Sequence, residues 1–235
     1  MGYVVMEGGA EFGGMMFEPD LRAMQLAGGS DVPIRIIPAA AAPNGDDKGA
    51  GQNGVRWFQS LGATDVVSLP LVDRTSADDP AIADALRKAR LIFILGGHTH
   101  YLIQTLSDSK SWLCIQAAYN EGAVIAGSSA GAMVLCEYYY RPTNDYVAKG
   151  LGLVSGACVL PHYNTFGKNW APRLAGRLME AVLIGIDEET AMINDGPRGI
   201  WRVFGKGMVT VYRSGECISC RSGRQFDLLP GSSPA

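Results

Sequence analysis

Apolar and polar positions alternate along the chain with two different periods. Five short runs, "YVVMEGG" (3–9), "IRIIPAA" (34–40), "VVSLPL" (66–71), "LIFILGG" (91–97) and "AVIAGS" (123–128), read as strands. Several are apolar at nearly every position, as expected when both faces of a parallel sheet are covered. Helical spacing fills the gaps. "DDPAIADALRKAR" (78–90) has an Asp cap, Pro in its first turn and basic residues at its end. "SKSWLCIQAAYNEG" (109–122) carries Trp112, Ile115 and Tyr119 on one face and stops at Gly122, and "GVRWFQSLG" (54–62) is a shorter helix. The segment 39–49, "AAAAPNGDDKG", reads as a loop. Strand and helix in turn imply right-handed βαβ units. The expected fold class is α/β, three-layered, with a mostly parallel sheet, helices on both faces and a C-terminal antiparallel hairpin. That hairpin is expected in "GIWRVFGKGMVTVYRSG" (199–215), around Gly205-Lys206-Gly207. Residues 1–221 read as a single α/β domain, and the polar, Pro/Gly-rich stretch 222–235 as a loosely held tail.

Composition narrows this little but usefully. The chain has 235 residues, enough to bury a core without staples. With 47 % hydrophobic and 18 % charged residues it is expected to be globular rather than disordered. A net charge of −3 without a basic run argues against nucleic acid as partner. No apolar run approaches the ~20 residues of a membrane span. The start shows neither a basic n-region nor an apolar h-region, so a cytoplasmic location is expected. Five scattered cysteines fit a reducing compartment. Cys217 and Cys220 form one C-x-x-C without a second pair, so no zinc site is expected there.

The candidate chemistry sits at glycine-rich strand ends. In "AGSSAGA" the pattern G-x-S-x-G falls on Gly127, Ser129 and Gly131, after a strand and before a helix. That is the setting of a nucleophile elbow: a sharp turn lifts the central side chain above the sheet, and the next amide, of Ala130, becomes an oxyanion donor. A phosphate-binding turn would use the same small residues. "LIFILGGHTHYL" (91–102) ends a strand in Gly96-Gly97, and a free Gly97 N–H is the second oxyanion candidate. His98 and His100 flank Thr99. In an extended segment both would face one way, toward a metal or a substrate, but no carboxylate cluster accompanies them and no metal is expected. A serine nucleophile needs a base. His162, in "GACVLPHYN" (156–164) at a strand end, is well placed for that.

With these segments in view the chain resembles the serine peptidase family that contains dipeptidase E and the cyanophycinases, which has the class I glutamine amidotransferase-like fold. The resemblance rests on "GGAE" (8–11), "IFILGGHTHYL", "GSSAGAMV", "GLGLVSGACVLPHYN" and "IGIDEETAMI" (184–193), in that order. It implies Ser129 as nucleophile, His162 as base and Glu188 as the acid. An α/β-hydrolase order, with the acid before the histidine, would instead need Asp145 or Glu137. Of the two adjacent acids, Glu188 is favoured and Asp187 is expected to point to the other side of its strand.

The resemblance also implies a serine exopeptidase for short peptides, with aspartyl dipeptides as the favoured substrates and no cofactor. An acidic first residue calls for a cation, and Lys168, Arg173 and Arg177 are the candidates. Arg173 and Arg177 are four apart in "WAPRLAGRLMEAVL", so they share a face if that segment is helical. His98, Thr99 and Asn164 complete the expected substrate contacts. A homodimer is left open. Three other readings remain: a cyanophycinase-like peptidase for β-aspartyl bonds, an esterase or acyltransferase using the same triad, and a binding protein without catalysis on this fold.

Overall fold

The alternation of periods in the sequence is the alternation of elements in the computed structural model of the chain, which describes residues 1–213 and 215–228. The order is β1 (Tyr3–Glu7), α1 (Phe17–Ala27), β2 (Ile34–Ile37), α2 (Asp47–Ser60), β3 (Val66–Ser68), α3 (Arg74–Ala77), α4 (Pro80–Arg87), β4 (Leu91–Ile94), α5 (Thr99–Leu106), α6 (Lys110–Asn120), β5 (Val124–Ser128) and α7 (Ala130–Leu135). There follow β6 (Cys136–Arg141), β7 (Tyr146–Lys149), β8 (Val154–Leu160), α8 (Ala171–Ala175), β9 (Val182–Ile186), β10 (Thr190–Ile193), β11 (Trp201–Gly205), β12 (Met208–Arg213), β13 (Glu216–Arg221) and β14 (Gln225–Phe226). Helix starts are capped as the residues suggest. Asp79 accepts from the amides of Ala81 and Ile82, and Ser109 Oγ accepts from the Trp112 amide.

Among the described residues the strands form two sheets. The larger runs β14-β11-β10-β1-β5-β4-β2-β3. Its β1, β5, β4, β2 and β3 are parallel, and β10, β11 and β14 add an antiparallel edge. The smaller runs β13-β12-β9-β8-β6-β7. Alternate side chains of one strand serve opposite cores. In β4, Leu91 and Phe93 pack with Ala23 and Met24 of α1 and Val55 and Phe58 of α2. Ile92 and Ile94 pack with Leu86 of α4, Leu102 of α5 and Ile115 of α6, and share that core with Val159 and Ile184 of the smaller sheet. The helices therefore lie on both faces of the larger sheet, and the near-continuous apolar runs follow from that double cover.

Four expectations need correction. The helix read as 54–62 begins at Asp47, inside the stretch read as loop, and Ala39–Asn44 is a 3-10 turn. Glycines hid it: they are poor helix formers. Here they allow close packing. A Cβ on Gly51 would overlap Ser68 Oγ, and one on Gly54 would come within 2.7 Å of Ile36 Cδ1. The C-terminal hairpin is present, but it pairs β12 with β13. The two strands expected to pair around Gly205-Lys206-Gly207 belong to different sheets, β11 beside β10 and β12 beside β9. The glycines there mark a crossover pressed against the turn before β10. A Cβ on Gly205 would overlap the Glu189 carbonyl, and the Lys206 amide donates to that carbonyl. The segment 170–183 is helical only over Ala171–Ala175 and re-enters a strand at Val182. Finally, the expected loose tail is tied down at its start. Gln225 and Phe226 pair with Arg202 and Trp201, and Leu228 is buried. Its residues 229–235 lie outside the described residues.

Candidate active site

Ser129 stands between β5 and α7 with φ +48° and ψ −108°. A non-glycine residue holds such a backbone only when its surroundings impose it. Here they do. Its amide donates to the Glu7 carbonyl at the end of β1, at 3.0 Å. The flanking glycines let the strand and helix close on each other. A Cβ on Gly127 would come within 2.6 Å of the Gly131 carbonyl carbon, and one on Gly131 would overlap the Ile94 carbonyl. The turn thus points the Ser129 hydroxyl out of the sheet.

His162 arrives from the end of β8, also at positive φ, +49°. Its amide donates to the Gly8 carbonyl at 2.7 Å, and its ring stacks on Phe166 with centroids 4.9 Å apart. A Cβ on Gly9 would overlap the imidazole, so the glycine pair of "GGAE" is the seat of this ring. Nε2 lies 2.9 Å from Ser129 Oγ, and Nδ1 lies 2.7 Å from Glu188 Oε1. The Glu188 amide donates to Asn164 Oδ1 at 3.0 Å, which fixes the turn that carries the carboxylate. Asp187 faces away, accepting from the Met208 amide at 2.9 Å. The rival acids are engaged elsewhere. Asp145 accepts from the Tyr140 hydroxyl and pairs with Arg177, and both interactions hold its carboxyl below the usual range. Glu137 pairs with Lys149 and accepts from the Gly156 amide, which lower its carboxyl to about 2.

Ser129 and His162 open onto a cavity of about 710 Å³. Gly97, His98 and Thr99 form one side, and Tyr140, Arg141, Phe166 and Trp170 contribute to the others. Gly97 has φ +134° and a Cβ there would overlap the Ala40 carbonyl, so only glycine lets the strand end pass. Ala130 is buried at the first position of α7, where backbone N–H groups lack helical partners.

The remaining expected contacts are placed differently. His98 and His100 do not face one way, because α5 begins at Thr99. His98 Nε2 is 2.9 Å from Asn44 Oδ1, and His100 Nδ1 is 2.8 Å from the Tyr139 hydroxyl. Lys168, Arg173, Arg177 and Asn164 are exposed and do not line the cavity. Arg177 lies beyond the end of α8, bound to Asp145, so the shared helix face does not exist. The cation that does line the cavity is Arg141, at the end of β6, and it has no carboxylate partner among the described residues. It escaped the sequence reading because β6 did. Its signal was faint: an arginine closing the aromatic run Tyr138-Tyr139-Tyr140. Phe166, four residues past His162, was likewise missed. Cys217 is exposed and Cys220 buried on opposite faces of β13. Among the described residues no group of three or more His, Cys, Asp or Glu is arranged to hold a metal ion, and no helix is long and apolar enough to cross a membrane.

Comparison with known proteins identifies relatives over most of the chain. The model of Peptidase family S51 matches residues 16–199. A cyanophycinase of Geminocystis herdmanii is 31 % identical over 211 residues, covering 84 % of this chain and 75 % of that protein. A cyanophycinase of Trichormus variabilis is 30 % identical over 203 residues, covering 79 % of this chain and 64 % of that protein. The crystal structure of a peptidase from an acI-B1 Actinobacterium superposes with a TM-score of 0.85 at 27 % identity, covering 96 % of each chain.

Proposed function

Because the chain belongs to peptidase family S51, a family of serine-type peptidases, we propose that it hydrolyses short peptides through a Ser129–His162–Glu188 triad. The observation that carries this reading is the continuous pair of hydrogen bonds from Ser129 Oγ to His162 Nε2 and from His162 Nδ1 to Glu188 Oε1. Ser129 Oγ attacks the peptide carbonyl carbon while His162 Nε2 takes its proton. Glu188 fixes the tautomer that leaves Nε2 free to accept, and stabilises the imidazolium that forms. The amides of Gly97 and Ala130 receive the oxyanion, and His162 passes the proton to the departing amine. Water then releases the acyl-enzyme by the same route. Every group in this sequence belongs to the protein, so none of its steps calls on a cofactor.

The favoured substrate is an aspartyl dipeptide. The support is Arg141, the unpaired guanidinium in the cavity that holds Ser129 and His162. A guanidinium there pairs with a substrate carboxylate in bidentate fashion. A second reading, cleavage of β-aspartyl bonds, is favoured by the cyanophycinases among the relatives. One experiment tests the chemistry and separates the readings. The protein is treated with a fluorophosphonate and digested, and the labelled peptide is identified. α- and β-aspartyl dipeptides are then assayed with the parent and with Ser129→Ala. The expected result is a label on Ser129 and a loss of roughly 10⁴ to 10⁶ in kcat in the variant. A label on Ser128, or full activity in Ser129→Ala, would reject the assignment. An esterase would instead turn over esters and neither dipeptide.

A further inference from the structure

The "GGAE" segment seats His162 with its two glycines, but its glutamate has no part in the triad. Glu11 lines a second cavity, of about 460 Å³, together with Phe12, Asn53, Arg56, Trp57 and Gly96. The two cavities lie at the same strand end, Gly97 lining the first and Gly96 the second. Glu11 is close to the nucleophile. Its Oε2 accepts from the hydroxyl of Ser128 at 2.9 Å, the residue before Ser129. The point that a Cβ on Gly96 would occupy lies 3.2 Å from Glu11 Oε1 and 3.2 Å from Ser129 Cβ. Gly96 does not have positive φ, so this glycine serves space rather than backbone conformation. Its missing side chain keeps open the gap between the carboxylate and the serine.

The electrostatics of that gap are one-sided. Glu11 has no cationic partner among the described residues. Its acidic neighbours Glu7 and Asp20 are fully buried behind it and close enough to interact with it. Arg56 shares the cavity, but its guanidinium bonds to Asn53 Oδ1 and forms no ion pair with Glu11. A half-buried carboxylate without a counter-ion, beside the rings of Phe12 and Trp57, suits an ammonium group, which gains from both the charge and the aromatic faces. In a peptide with a free amino end, the α-nitrogen lies only about 2.5 Å from the carbonyl carbon of the same residue. A carbonyl seated at Ser129 therefore keeps that nitrogen close to Ser129, whose Cβ lies 3.2 Å from the point that a Cβ on Gly96 would occupy.

We propose that Glu11 anchors the substrate's free α-ammonium group in the gap kept by Gly96, so that cleavage is confined to the bond after the first residue. This rests on the reading of Ser129 as nucleophile. The test compares aspartyl-leucine with succinyl-leucine, which has the same acyl skeleton without the amino group. In the parent, kcat/KM should favour aspartyl-leucine by about 10² or more, a charge-assisted hydrogen bond's worth of discrimination. In Glu11→Gln this preference should collapse to within a few-fold of unity, with most of the loss in KM. Labelling of Ser129 by a fluorophosphonate is measured in both proteins. A parent that is not labelled fails on the peptidase reading and takes this inference with it. A labelled Glu11→Gln that keeps the parent's preference overturns the inference alone. Should Glu11→Gln not fold, Gly96→Ala serves instead. It leaves the Glu11–Ser128 bond in place but fills the gap, and it should also raise KM selectively for aspartyl-leucine. An unchanged preference in that variant would equally overturn the proposal.

Discussion

Ser129 and His162 both hold left-handed backbone, a conformation that costs each of them about 1–3 kcal/mol and that the surrounding bonds must offset. Those bonds run to one place, the end of β1: Ser129 N–H to the Glu7 carbonyl, His162 N–H to the Gly8 carbonyl, and Glu189 N–H to the Gly9 carbonyl. Serine, base and the residue that follows the acid are thus hung on three consecutive carbonyls, while the Glu188 amide itself is held by Asn164, which explains how groups far apart in sequence hold hydrogen-bonding distances. The acid can be tested directly. Glu188→Gln should fold and lower kcat by roughly 10² to 10⁴, because the amide still bonds the ring but no longer enforces its tautomer or its charged form. Asp145→Asn, assayed on the same dipeptide, should stay within a few-fold of the parent. Its ion pair with Arg177 is half exposed on both sides, and such pairs contribute about 0–1 kcal/mol. The reverse outcome would place the acid before the histidine. Specificity separates the arginines in the same way. Arg141→Glu should raise KM about ten-fold or more for an aspartyl dipeptide and much less for an alanyl one. Arg177→Glu should not distinguish the two substrates, and if it did, the loop it ties would have to reach the cavity.

Among the elements, legibility followed the strength of the local pattern. The buried strands β1, β2, β4 and β5 and the capped helices α4 and α6 were readable because burial on both faces, or a cap followed by a helical stripe, leaves a mark in each segment alone. Of the smaller sheet, β8, β9 and β12 were readable, but β6, β7 and β13 were not. β6 mixes Glu137 and Arg141 with buried Tyr139 and Tyr140, and β7 and β13 carry largely exposed residues, so their strand character comes from pairing with distant partners. The site shows the same division. G-x-S-x-G announces a turn by its own composition, whereas Arg141 and Phe166 join the cavity only through the packing of β6 and of the turn after β8. Asn164 was singled out for the right neighbourhood, but it bonds the Glu188 amide. Glycine positions give the element-scale test. Gly131→Ala would drive a methyl into the Ile94 carbonyl, and neither backbone can yield. Thermal unfolding should show a loss of about 2–4 kcal/mol and fluorophosphonate labelling should fall sharply. Gly176→Ala is the control, with nothing within 4 Å of the added Cβ and ordinary helical backbone at φ −79°. It should match the parent, and equal damage from both variants would mean that close packing at the elbow is not what Gly131 provides.

For the molecule as a whole, the distribution of charge matters more than its sum of −3. Two carboxyls, Glu7 and Asp20, are completely buried in the core. Trp57 Nε1 donates to Asp20 Oδ2 at 2.7 Å, but among the described residues both oxygens of Glu7 and Oδ1 of Asp20 have no donor other than a proton held by the pair itself. The groups facing them are Glu11 and the Trp57 indole, with no cation among the charges that act on them. Burial therefore raises the Asp20 carboxyl to about 7, and burial together with the charge of Asp20 raises Glu7 well above its ordinary value. The sign of the consequence follows from linkage. Between about pH 4, where an unfolded aspartate releases its proton, and pH 7, the folded chain binds more protons than the unfolded one, so stability falls as pH rises. The exposed carboxylates bound to donors, such as Asp65 and Glu137, act in the opposite direction and only at lower pH, as pH falls through their depressed values. The parent should therefore melt at a higher temperature at pH 5.5 than at pH 8, by the equivalent of about 1–3 kcal/mol. Asp20→Asn keeps an oxygen for the Trp57 indole and removes one ionisation, so it should reduce this slope, leaving the part that burial of Glu7 contributes, and be the more stable protein at pH 8. The Glu7 carbonyl also holds the Ser129 amide, so forcing a charge onto Glu7 disturbs the strand end that carries the elbow. Fluorophosphonate labelling of Asp20→Asn should accordingly persist to higher pH and temperature than in the parent. Parallel melting curves for the two proteins from pH 5.5 to 8 would show that the buried pair does not govern this dependence.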